Sequence, residues 1–212
     1  PTTTSPVLIA HPDDERWFRD ARVLPSLSRV TGDERAEPQP GTVRLTPSTT
    51  LPPGMAILDA PDIDSVVQAN RDLAGQLLAA ADLWLFVTTA ARYADAIPWG
   101  LLRQAADRGT AVAIVLDRVD RPAMAEVRTH LIEMLREQGL ETAPVFTVPE
   151  TELDAEGLIP EADIERLRGW LTALAGDQRA RTMVIRQTLQ GALRSLDGRA
   201  QGLIAAAQAH RE

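Results

Sequence analysis

Apolar residues gather in six short runs, Val7–Ala10, Thr42–Leu45, Met55–Leu58, Leu83–Thr88, Ala111–Leu116 and Val145–Val148. Several are β-branched and nearly free of polar side chains, the pattern of strands covered on both faces. Between them, Val66, Leu73, Leu77, Leu78 and Ala81 recur at helical intervals, and so do Val127, Leu131, Met134 and Leu135. Alternating runs of these two kinds predict an α/β domain built on a mostly parallel sheet with flanking helices.

Punctuation between the runs refines that outline. Glu37–Gly41 and Thr46–Gly54 are rich in proline and threonine and read as loops around the second strand. Residues 13–35 read as a helical insertion: Pro12 stops the first strand, Asp13 or Asp14 caps, and Trp17, Phe18 and Ala21 form a buried face. An acidic loop follows the last strand, and Pro160 opens a helix holding Ile164, Leu167, Leu171 and Leu174.

The final segment, Gln178 to His210, carries Met183, Ile185, Leu189, Leu193, Leu196, Ala200, Leu203 and Ala207 along one stripe. It reads as one long amphipathic helix interrupted by glycines, its stripe expected against its own domain or an adjoining bundle rather than a membrane surface. The chain thus divides into an α/β domain over 1–176 and a C-terminal helical extension over 177–212.

Composition narrows the chemistry. With 44% hydrophobic and 25% charged residues, the 212-residue chain has an ordinary globular make-up. Its formal net charge of -8 disfavours nucleic acid as a partner. Cysteine is absent, which removes disulfides, thiolate metal sites and cysteine nucleophiles. No apolar stretch reaches the roughly eighteen residues of a membrane span, so the expected location is cytoplasmic, with peripheral membrane association through the last helix as a further option. Lysine is also absent, so all 22 basic residues are arginines.

Two constellations carry candidate chemistry. The first is Ala10-His11-Pro12-Asp13-Asp14-Glu15. It resembles the metal motif of zinc-dependent deacetylases acting on N-acetylglucosamine derivatives. That resemblance implies His11 and Asp14 as zinc ligands and Asp13 as general base. A catalytic zinc wants a third protein ligand, and the other histidines are His130, on an amphipathic helix, and the near-terminal His210. The chain also continues Arg16-Trp17-Phe18-Arg19 where such enzymes have a glycine-rich turn.

The second constellation is spread over strand ends. Ile57-Leu58-Asp59-Ala60-Pro61-Asp62 ends a strand in a carboxylate, a hard oxygen ligand of the kind magnesium prefers. Ala113-Ile114-Val115-Leu116 runs into the polar tetrad Asp117-Arg118-Val119-Asp120. Pro1-Thr2-Thr3-Thr4 precedes the first strand, and Val145–Val148 runs into Pro149-Glu150-Thr151. Taken in chain order, Pro1–Thr4, Ile57–Asp62, Asp117–Asp120 and Pro149–Thr151 resemble the first switch, the magnesium-side loop, the guanine-reading tetrad and the base-backing loop of bacterial dynamin-like and related P-loop GTPases.

That resemblance covers roughly residues 1–151 and implies a three-layer P-loop NTPase-like fold that binds and hydrolyses GTP with Mg2+. It casts Thr3, Thr4 and Asp59 as magnesium ligands, with Thr3 and Asp59 sensing the γ-phosphate. Asp120 would accept from guanine, Arg118 would lie over the base, and Asp117, Pro149 and Glu150 would complete the nucleotide pocket. Asp117 and Arg118 depart from the family's Asn-Lys, and Asp62 stands where a glycine is usual. A lysine-free chain has no phosphate-cradling Gly-Lys-Ser/Thr loop, so the missing first strand and P-loop are expected ahead of Pro1, and these 212 residues alone are expected to bind nucleotide poorly. Expected partners are GTP and GDP, with a homodimer or helical-bundle segment. A non-catalytic NTPase-like interaction module is the remaining alternative.

Overall fold

The computed structural model describes residues 5–31, 39–60 and 68–209. The chain forms two compact units, one comprising residues 1–81 with 172–177, the other 82–171 with 178–212. The boundary after Ala81 falls inside the stretch that the sequence assigns to one domain. The architecture is α/β, but the strands lie in two sheets, one wholly parallel and one mixed.

In the first unit the strands are β1 (Val7–Ala10), β2 (Ser28–Thr31), β3 (Thr42–Pro47) and β4 (Ala56–Asp59), in spatial order β2-β3-β1-β4. β1 and β2 each pair with β3 in parallel, whereas β4 runs antiparallel to β1. Leu8 stands opposite Leu45 on one side and Leu58 on the other. The two-residue period therefore gathers Leu8, Ala10, Val43 and Leu45 on one buried face. Helix α1 (Gln68–Ala80) covers that face with Leu77, only 2% exposed, and with Leu73.

The expected helix over 13–35 is corrected. A six-residue 3-10 helix, Pro12–Trp17, is followed by turns and then by β2. Its N-cap is His11, whose Nδ1 accepts from the Asp13 amide at 3.2 Å, rather than Asp13 or Asp14. Trp17 is 47% exposed and Ala21 is also exposed; of the expected inner face only Phe18 packs against the core. The buried anchors are Leu24 and Leu27. From Phe18 to Leu27 the chain is wrapped around one guanidinium: Arg29 donates to the carbonyls of Phe18, Val23, Leu24 and Leu27. One side chain thereby satisfies four acceptors that a helix would have paired internally.

The second unit holds β5 (Leu83–Thr89), β6 (Ala111–Val119) and β7 (Val145–Pro149), all parallel, with β6 in the centre. Residues 111–116 are buried at every position, as expected for a central strand covered on both faces. The crossovers are α2 (Ala96–Asp107) and α3 (Met124–Glu137), the latter burying Leu131 and Leu135. Helix α4 (Glu161–Gly176) opens after Pro160, and its Trp170 ring packs against Phe146 of β7 with centroids 5.1 Å apart and the planes tilted by 46°.

Helix α5 (Gln178–Ala209) runs unbroken through Gly191 and Gly198, without the expected interruption. It meets β5 and β6 through Thr188, whose hydroxyl donates to the Asp82 carbonyl at 2.8 Å. Its stripe does not pack on its own unit: Met183, Ile185, Leu189, Leu193 and Leu196 are all exposed. No helix among the described residues is long and apolar enough to cross a membrane.

Candidate functional site

At the carboxyl ends of β5, β6 and β7, three loops are tied together by main-chain hydrogen bonds. After β5, the Ala90 amide donates to the Asp117 carbonyl at 3.1 Å, and the Arg92 and Tyr93 amides donate to Thr89 O. After β7, the Glu150 amide donates to the Val119 carbonyl at 3.0 Å. Residues 117–120 thus sit between two neighbouring loops, each fixed to them directly. Ligands of parallel α/β sheets bind at this end of the strands.

The tetrad is not a regular strand end. The ladder pairs Leu116 with Thr147 and Val119 with Pro149, so β6 carries one more residue than β7 over this stretch. The extra residue makes a bulge, and Arg118 occupies it with φ of 54°. A non-glycine residue in the left-handed region carries strain, and such strain gathers at functional positions. Here it turns the Arg118 side chain out to 71% exposure, while Val119 is fully buried.

The neighbouring side chains follow from that turn. Asp117 is half-buried beside Arg118, with Oδ2 at 3.9 Å from the guanidinium Nε, too loose and too exposed a pair to fix either group firmly. Asp120, the last residue of the tetrad, precedes the 3-10 turn Arg121–Ala123 but makes no side-chain cap, so its carboxylate is exposed. Arg121 is drawn away by Asp163 of α4, at 2.8 Å. Pro149 is buried and Glu150 exposed. The ensemble therefore offers the carboxylates of Asp117, Asp120 and Glu150 together with one planar cation, Arg118. Such a set suits a flat ligand rich in hydrogen-bond donors.

Asp117, Arg118, Asp120, Pro149 and Glu150 thus lie on neighbouring loops at the same end of the sheet. Asp59 ends β4 in the first unit and is exposed. Thr3, Thr4 and Asp62 lie outside the described residues. The position of these loops at strand ends was legible in the sequence, but the Ala90 clamp on Asp117 and the left-handed Arg118 were not. A left-handed arginine has no composition signal, because glycine or asparagine normally marks that conformation.

Around the site, Arg92 pairs with Asp95 at 3.2 Å, and the Tyr93 hydroxyl meets His130 Nδ1 at 2.7 Å with the rings edge to face. The Trp99 indole donates to the Tyr93 carbonyl at 2.9 Å. These contacts hold the loop after β5 onto α2 and α3, and they give His130 a structural partner.

The His-Pro-Asp-Asp-Glu run behaves differently. His11 caps the 3-10 helix, and Asp14 Oδ2 accepts from the Gly54 amide at 2.6 Å, pinning the loop before β4. Asp13 is exposed and stands 3.4 Å from His11. Among the described residues, no cluster of three histidine, aspartate or glutamate side chains is arranged to hold a metal ion. No protein-family model matches this chain, and no curated protein matches it.

Proposed function

We propose that the second unit is the base-reading part of a guanine-nucleotide-binding domain, a three-layer P-loop NTPase-like GTPase of the dynamin-like kind. The observation that carries this reading is the bulged tetrad. It offers an uncommitted Asp120 carboxylate and an outward Arg118 side by side, at the ligand-binding end of a parallel sheet. Guanine presents adjacent N1 and N2 donors that a single carboxylate can accept together, and the guanidinium plane can cover its ring. Adenine offers no such pair of donors on that edge, so the arrangement favours guanine. The family resemblance adds Mg2+ on Thr3, Thr4 and Asp59, with GTP hydrolysis as the reaction.

The lysine-free chain lacks a Walker-type phosphate cradle, so its own contribution is base recognition and its binding is weak. Ligand-observed NMR is the suitable measurement, since it reads weak contacts directly. GDP and guanosine are expected to show saturation transfer from the protein, and adenosine and ADP much less. Asp120→Ala is expected to remove the guanine preference while leaving the protein folded, because its carboxylate is exposed and caps nothing. Equal transfer to both bases, or a guanine signal indifferent to Asp120→Ala, would sink the reading. Absence of transfer to any nucleoside would favour the non-catalytic interaction module.

A further inference from the structure

The loop after β5 reaches the tetrad without a buried side chain of its own. Ala91, Arg92, Ala94 and Asp95 are exposed, and Ala90 and Tyr93 are only half-buried. Its one direct tie to the tetrad is weakly placed. The bond from the Ala90 amide to the Asp117 carbonyl lies just beyond the last ladder pair, Thr89 with Asp117, and the end of a ladder frays unless the chain past it is held.

The holding contacts converge on Tyr93. Its amide donates to Thr89 O at 3.0 Å, and its carbonyl accepts from the indole of the buried Trp99 in α2. Its hydroxyl meets His130 Nδ1 at 2.7 Å, and its ring stands edge to face against the imidazole, the planes 86° apart. These last two contacts link the loop to α3. A tyrosine hydroxyl both donates and accepts, so the bond forms with either tautomer of His130.

Arg118 gives that link a purpose. Its left-handed backbone persists only where the surroundings over-determine it. Two main-chain bonds bracket it, Ala90 to Asp117 on one side and Glu150 to Val119 on the other. The loop on the Glu150 side is closed independently, by the Glu156 and Leu158 amides on the Asp154 carboxylate. The loop on the Ala90 side depends on Tyr93.

We propose that Tyr93 and His130 form a positioning pair, which holds the loop after β5 from α3 and so keeps the tetrad in the bulged form that turns Arg118 toward a ligand. The pair touches no ligand itself. With the Ala90 tie loosened, Arg118 relaxes out of the left-handed region and its guanidinium leaves the plane it would share with a base, so binding loses its preorganisation. The effect on binding rests on the base-reading function; the effect on the tetrad rests on the fold alone.

Two measurements on the whole chain test the pair. In amide exchange followed by NMR, Tyr93→Phe and His130→Leu are each expected to speed exchange at Ala90 about fivefold, the protection worth one hydrogen bond, and to leave Glu150 unchanged. Guanosine affinity, titrated by saturation transfer, is expected to fall by a similar factor in both variants. The unfolding midpoint should move little, because the hydroxyl–imidazole bond is solvent-exposed. His130→Asn, whose side-chain amide sets a polar atom near the place of Nδ1, is expected to restore both readouts. Unchanged Ala90 exchange in Tyr93→Phe overturns the proposal, and so does guanosine affinity that stays at the parent level once Ala90 is loosened. If the parent itself takes up no guanosine, the base-reading function fails, and the pair stands or falls on Ala90 exchange by the same criterion.

Discussion

Arg118 and Asp82 show how single residues can trade stability for other ends. Arg118 holds a left-handed backbone at φ 54°, a conformation that costs an L-residue roughly 1 kcal/mol and glycine almost nothing. Arg118→Gly is therefore expected to raise the free energy of unfolding by about 1 kcal/mol in urea titration, while weakening any stacking ligand. An unchanged or lowered stability would mean that the guanidinium makes contacts worth more than the strain. Asp82, at the start of β5, has its carboxyl pushed above the usual carboxylate range by burial. A carboxyl whose pKa is raised by folding binds its proton more tightly in the native state, so stability falls as pH rises from the ordinary carboxylate value through the raised one. Asp82→Asn is expected to abolish that fall: the variant should gain on the parent as pH climbs from about 4 toward neutrality, read from unfolding midpoints.

At the scale of elements, legibility tracked how completely a segment is buried. The run Ala111–Leu116 is apolar without interruption and is the central strand, so residue type and environment agree. β2 escaped because Ser-Arg-Val-Thr has a single large apolar residue and lies at a sheet edge, where only one neighbour dictates its pairing. The turns before it were mistaken for helix because Trp17, Phe18 and Ala21 have helical spacing. What decides there is the Arg29 guanidinium, which gathers four carbonyls and has no periodicity to announce it. The α5 stripe was legible as a stripe but not as an outward one, since spacing reveals a face and never its direction. Gly191 settles that direction through its near contact with Arg108 and Gly109. Gly191→Ala should raise intrinsic helicity by nearly 1 kcal/mol, yet the added methyl meets backbone and must push the helix away. The net expectation is a loss of about 1–3 kcal/mol, with faster amide exchange in α5 around Thr188. A stabilised variant would show that the helix is not docked there.

For the whole molecule, each unit has its own hydrophobic core. Leu8, Val43, Leu45 and Leu77 close the first, and Ile114, Leu116, Leu131 and Leu135 are buried in the second. Each core is built on its own sheet, so a cavity opened in one removes contacts that belong to that unit. Leu45→Ala and Leu116→Ala should each cost about 2–5 kcal/mol, the range for a buried leucine whose surroundings relax only in part. Native-state hydrogen exchange can locate each loss, because core amides exchange only through the opening of the structure that holds them. Leu45→Ala is expected to speed exchange in β1 and β3 by roughly thirtyfold or more, with β6 changing far less; Leu116→Ala should do the reverse. If either substitution accelerates both sheets equally, the chain opens as one cooperative unit, and the two cores are a feature of packing without a counterpart in stability.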